Sequence, residues 1–119
     1  MDSKVFKKGE IYLANLNPKK GSEMGKLRPV LIYQSDSLNQ ALHPTSIILP
    51  LSTNIIEDTY PLRFFVKKRD RLKEDSQIVC DQIRTVDNRR IINDKIGSLD
   101  EKELLKLDMQ MKIVFDFRF

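Results

Sequence analysis

Ser98-Leu99-Asp100-Glu101-Lys102-Glu103-Leu104-Leu105-Lys106-Leu107-Asp108-Met109-Gln110-Met111-Lys112-Ile113-Val114-Phe115 is where the hydrophobic period of this chain changes. Leu104, Leu107, Met111 and Val114 recur at helical spacing and form one apolar stripe, with Lys106 and Lys112 off it. Ser98 and Glu101 have the capping-box form, in which a hydroxyl and a carboxylate three residues later satisfy free backbone N–H groups. The spacing predicts a helix over about Leu99–Phe115, packed on whatever precedes it.

What precedes it is strand-like. Glu10–Leu16 carries Ile11, Leu13 and, less regularly, Ala14 and Leu16. Pro29–Tyr33, Ser46–Ser52 and Leu62–Val66 are short apolar runs, with Pro29 tolerated only at the first position of its strand. Gln77–Thr85 alternates after Ile78, with Cys80, Gln82 and Arg84 opposite Val79, Asp81 and Ile83. Whichever set faces inward, a buried polar group must find a partner. Asn17-Pro18-Lys19-Lys20-Gly21-Ser22 is turn chemistry. Short strands followed by one helix predict a mainly β (α+β) domain, a small antiparallel barrel with a packing helix. Many unrelated functions use such barrels.

The 119 residues, 40% of them hydrophobic, make a single domain over 1–119. No apolar run approaches the roughly 20 residues of a membrane span, so no membrane partner is expected. Met1–Lys8 lacks the apolar centre of a signal peptide. One cysteine, Cys80, cannot form an internal disulfide or a Cys-rich zinc site. The expected location is the cytoplasm. Against 17 acidic residues stand 21 Lys and Arg, a net +4. The basic residues concentrate in Lys7–Arg28 and Arg63–Lys73, whereas Asp100–Asp108 is acidic. Such segments are either solvated loops or a face for an anionic partner, nucleic acid above all.

The most unusual local sequence is Lys20-Gly21-Ser22-Glu23-Met24-Gly25-Lys26-Leu27-Arg28-Pro29-Val30. Its glycines let backbone approach a ligand closely, and Ser22 with nearby N–H groups can hold phosphate. Pro29 constrains Arg28 to an extended conformation, so the guanidinium leaves the loop in a fixed direction suited to bidentate phosphate binding. An ordinary hairpin loop with a surface arginine reads equally well from these residues alone.

Gly21-Ser22-Glu23 followed by Arg28-Pro29-Val30 resembles the first signature of the MazF/PemK (Kid) toxins, endoribonucleases of bacterial toxin–antitoxin pairs. The resemblance extends to Lys8-Gly9-Glu10-Ile11-Tyr12, Pro50-Leu51-Ser52-Thr53, Cys80-Asp81-Gln82-Ile83-Arg84-Thr85-Val86-Asp87 and Lys95-Ile96-Gly97-Ser98-Leu99. In order, these motifs cover about residues 8 to 115. The resemblance implies an SH3-like barrel of the MazF/PemK/CcdB type, homodimeric, cutting single-stranded RNA at short specific sequences without metal or other cofactor. In the family reaction the ribose 2′-OH attacks its own phosphate, leaving a 2′,3′-cyclic phosphate and a 5′-OH. The family's catalytic arginine falls on Arg28 and its partner hydroxyl, normally threonine, on Ser52. A second implied partner is a MazE-like antitoxin with an acidic C-terminal segment.

Ser52 keeps the family's hydroxyl but loses the methyl that restricts its rotamer. Thr53 competes for the role, yet strand neighbours point to opposite faces, so only one can meet Arg28. An arginine keeps its proton and is a poor base, which suits Arg28 to stabilising the pentacoordinate phosphate. His43 is the only histidine and precedes Pro44 in an expected loop, so no histidine pair exists. Glu23 and Asp81 are the candidate proton acceptors, Asp81 being equally readable as a buried partner of Arg28 or Arg84. Gly21, Ser22, Lys26, Gln82 and Arg84 are the expected RNA contacts, Gln82 and Arg84 as readers of base edges. Met24 and Lys26 depart from the glutamine and glycine usual in the family. Phe64, Phe65 and Tyr33 could stack bases, but core packing is the reading these residues favour. The rival function is a non-catalytic toxin of the same fold that binds a protein such as gyrase.

Overall fold

The computed structural model describes residues 4–17, 21 and 26–118. Among these residues seven strands and two α-helices run in the order β1 (Glu10–Asn15), β2 (Leu27–Ile32), α1 (Asp36–Gln40), β3 (Thr45–Ser52), β4 (Arg63–Val66), β5 (Ser76–Val79), β6 (Arg84–Asp87), β7 (Gly97–Ser98) and α2 (Glu101–Phe115). All pairings are antiparallel, the path is β4-β5-β3-β2-β1-β7, and β6 joins β3 off that path. The result is a curled half-barrel sheet with one C-terminal helix packed on it, as the change of period predicts. After β4 the chain turns back toward the far edge, where the Arg71 N–H bonds the Ile96 carbonyl at 2.9 Å.

Alternation along the strands divides the apolar residues between two faces. On one, Ile11, Leu31, Leu49, Leu51 and Ile78 pack with Leu107 and Met111 of α2, while Leu104 and Val114 are half-buried against them. On the other, Tyr12, Ala14, Val30, Ile32 and Ile48 lie beneath Phe6 and Ile91. The stripe predicted on α2 is therefore the one that buries, and a fully buried leucine such as Leu107 is worth about 1.5–3 kcal/mol over an exposed one.

Three details differ from expectation. The capping box is formed by Asp100 and Glu103, not by Ser98 and Glu101: the Asp100 carboxylate accepts the Glu103 N–H at 2.8 Å and Glu103 accepts the Asp100 N–H at 3.0 Å. Ser98 is held in β7 opposite Glu10, so the helix starts two residues later than expected. Second, Gln77–Thr85 is not one strand. β5 and β6 both pair with β3, but three more residues lie between Ile78 and Arg84 than between their partners Leu51 and Ile48. The excess coils into a 3₁₀ turn at Cys80–Gln82. Third, Pro29 is the third residue of β2, not the first. The β2–β3 ladder begins only at Val30, so at Pro29 the strand has β1 alone as neighbour and loses no second ladder. The short helix α1, capped by Ser35, has no counterpart among the expected elements, because no apolar run follows its cap.

Candidate functional site

Register assembles the site. The β2–β3 ladder pairs Ile32 with Ile48, Leu31 with Leu49 and Val30 with Pro50. The ladder stops there, and Arg28 and Ser52 each lie two residues past that last pair on the neighbouring strands. Side chains two apart on a strand share a face, so Arg28, in step with Val30 and Ile32, and Ser52, in step with Ile48, both project on the side opposite α2. Arg28 is the partner of Ala14 on β1, and Ser52 the partner of Gln77 on β5, which is in turn opposite Phe65 on β4. One row thus runs through Phe65, Gln77 and Ser52, and a second pair joins Arg28 to Ala14. Arg84, opposite Ile48, lies on the same face further along β3. The apolar cluster covers this face at one end, and the half-buried Arg28 and Ser52 emerge where that cover ends.

The Ser52 oxygen accepts the Asn54 N–H at 3.1 Å, a turn that ends the strand. A hydroxyl has a second lone pair and a proton to donate, so the turn does not exhaust it. Thr53 lies one residue past the end of β3 and is exposed. Asp81 is exposed on the 3₁₀ turn, which corrects its reading as a buried partner of Arg28 or Arg84. The inserted residues lift it off the ladder. Gln82, on the same turn, and Arg84, opening β6, are half-buried. Gly21 is exposed with φ +57, and among the described residues a side chain there would meet nothing within 4 Å. Ser22 and Glu23 lie outside the described residues. Lys26 closes the β1–β2 connection: its N–H donates to Asn17 Oδ1 at 2.6 Å and its carbonyl accepts the Leu16 N–H at 2.8 Å. It does so at φ +66, a conformation that favours glycine.

Two supporting residues escape sequence reasoning. Gln77 is buried, its Oε1 accepting from the Ile56 N–H at 3.1 Å and from Arg63 Nη1 at 3.2 Å, while its Nε2 donates to the Ile56 carbonyl at 3.0 Å. Arg63 Nη1 also donates to the Asn54 carbonyl at 3.0 Å. These bonds fasten the β3–β4 loop directly behind Ser52. The only sequence signal was the polar residue in an otherwise apolar strand run.

Among the described residues no group of three or more His, Cys, Asp and Glu side chains could hold a metal ion, and no helix is long and apolar enough to cross a membrane. A cleft of about 630 Å³ lined by Phe6, Asn39, Asp87 and Arg89 adjoins the other end of β3 and contains none of the residues of the row. His43 is exposed and engaged through its carbonyl with Asn88.

A half-barrel sheet with one packing helix is the fold that solved MazF toxins share. Residues 7–115 match the family described as PemK-like, MazF-like toxin of type II toxin–antitoxin system. The chain is 37% identical over 110 residues to endoribonuclease EndoA of Bacillus subtilis (strain 168), covering 92% of this chain and 93% of that protein. In fold it is similar to MazF from Deinococcus radiodurans, with TM-score 0.78 at 17% identity, covering 97% of this chain and 100% of that one. The MazE–MazF complex of the same organism matches with TM-score 0.73 at 17% identity, over 98% and 100% of the two chains. The chain belongs to the PemK/MazF family of type II toxin–antitoxin toxins.

Proposed function

We propose that this toxin is a metal-independent endoribonuclease that cuts single-stranded RNA, mRNA included, at short sequences and so inhibits translation and growth. The observation that carries this reading is that Arg28 and Ser52 share a face of the sheet, each two residues beyond the Val30–Pro50 pair. A fixed guanidinium and a hydroxyl converging on one phosphate supply the charge stabilisation that a phosphorane demands. In the reaction the 2′-oxygen bonds to phosphorus, its proton passes to a carboxylate, and the bond to the 5′-oxygen breaks as that oxygen takes up a proton. Arg28 neutralises the phosphorane and Ser52 donates to it. Glu23 and Asp81 are the candidate acceptors. Gly21, Ser22, Lys26, Gln82 and Arg84 hold the strand. The name EndoA endoribonuclease, carried by a 37% identical relative, supports the activity. The MazE–MazF complex among the structural neighbours supports a MazE-like antitoxin as partner, its acidic segment lying on Arg28. The working form is a cytoplasmic homodimer.

The test is digestion of an end-labelled RNA in EDTA with identification of the new termini. Cleavage that persists and leaves 2′,3′-cyclic phosphate and 5′-OH ends is expected. No cutting, cutting abolished by EDTA, or 5′-phosphate ends would each overturn the reading.

A further inference from the structure

The three aromatic residues that read as core from the sequence fare differently in the fold. Phe64 packs into the core on the α2 side. Tyr33 packs there too, its hydroxyl donating to Asp108 and its ring lying 4.4 Å from Lys8 Nζ. Phe65 is 53% exposed. It sits on β4, the edge of the sheet, and points to the opposite face from Phe64. Its partner Gln77 is the partner of Ser52, so Phe65 stands two strands from Ser52 in the same row, about 10 Å away at ordinary strand spacing.

The neighbouring chemistry is equally telling. Arg63 shares the Phe65 face of β4 and reaches toward the Ser52 turn through Asn54. Lys67 follows Phe65 by two residues and is exposed. An exposed ring between cations, in line with a candidate phosphate site, is what single-stranded nucleic acid binding uses: the cations track the backbone and the ring stacks a base.

We propose that Phe65 is a base-stacking platform that holds a nucleobase of single-stranded RNA beside the Arg28–Ser52 site. This rests on the RNA reading above and adds a subsite to it. Stacking is indifferent to which base is present, so Phe65 contributes affinity and positioning rather than sequence choice.

The test uses a 2′-O-methylated oligouridylate, which lacks the attacking hydroxyl, and the same backbone without bases. Phe65→Ala is expected to weaken oligouridylate binding about tenfold. It should leave the baseless strand and the salt dependence unchanged, because no cation is removed. Phe65→Trp introduces the only tryptophan of the chain. It should retain affinity, and its emission should be quenched by oligouridylate but not by the baseless strand. Equal weakening on both strands, no weakening, or no base-dependent quenching would overturn the proposal. So would a change in the protein's own association state at unaltered RNA affinity, which would assign Phe65 to a protein contact. Parallel cleavage assays separate the two readings. Base-dependent binding without any wild-type cutting sinks the nuclease and leaves the platform, whereas normal cutting with Phe65→Ala inert in every binding assay does the reverse.

Discussion

The Ser52 oxygen accepts the Asn54 N–H, and that bond supplies what the missing threonine methyl would otherwise provide, a restriction on the rotamer. The turn reading of Ser52 and the catalytic one are therefore compatible, since a hydroxyl can accept in the turn and donate to a phosphate. Lys26 is a different departure. At φ +66 a lysine bears left-handed strain that glycine avoids, which explains in backbone terms why glycine is usual there. Cys80 illustrates a residue outside the chemistry. Burial pushes its thiol up to about 12, against the Gln110 amide that donates to its sulfur at 3.8 Å. Because the folded-state value is raised, its contribution is intact below the ordinary value of 9.0 and is lost as pH rises from there toward about 12. The folded protein should thus resist iodoacetamide at pH 8 and react once unfolded in urea. Rapid alkylation of the folded chain would contradict the burial of this thiol.

Helix α2 is fastened by one side chain with two duties. Glu103 closes the capping box with Asp100 and accepts both arms of the Arg69 guanidinium at 2.5 and 2.8 Å, joining the loop after β4 to the start of the helix. The Arg69 hydrogen bonds hold the Glu103 carboxyl below its ordinary value of 4.5. A lowered folded-state value stabilises above 4.5, and that stabilisation is lost as pH falls through the lowered value. Glu103→Gln should therefore flatten the acid limb of stability measured by urea unfolding between pH 6 and pH 3, and an unchanged limb would show the pair to be inert. At this scale the sequence is readable in part. The stripe Leu104, Leu107, Met111 and Val114 identifies the helix because its buried face is set by period alone. Its start is not readable, because Ser98 and Asp100 both carry cap chemistry and only the pairing of Ser98 with Glu10 decides between them. Gln77–Thr85 is legible as extended chain but not as two strands. The three-residue excess exists only relative to β3, a distant segment. Phe65 fails for the same reason: its exposure follows from lying at the sheet edge, which local sequence does not specify.

Across the molecule the two faces of the sheet divide the labour. The face under α2 is closed by apolar packing, and the other carries Arg28, Ser52, Arg84 and Phe65 where its apolar cover ends. Arg28 and Ser52 are 24 residues apart in the chain, and only the family motifs that contain them pointed to their placement at the facing ends of β2 and β3. Gln77 and Arg63, which brace the Ser52 turn, belong to no such motif and emerged only from the hydrogen bonds. If one phosphate is gripped jointly by Arg28 and Ser52, the two side chains act as a unit. Groups that act as a unit give grossly non-additive losses, and each alone is worth about 10²–10³ in rate for a lost oxyanion donor. The decisive measurement is a double-mutant cycle on single-turnover RNA cleavage with Arg28→Ala, Ser52→Ala and both together. The shared-phosphate account predicts that the double variant is little slower than the slower single one. Strictly multiplicative losses, or full activity in either single variant, would contradict it.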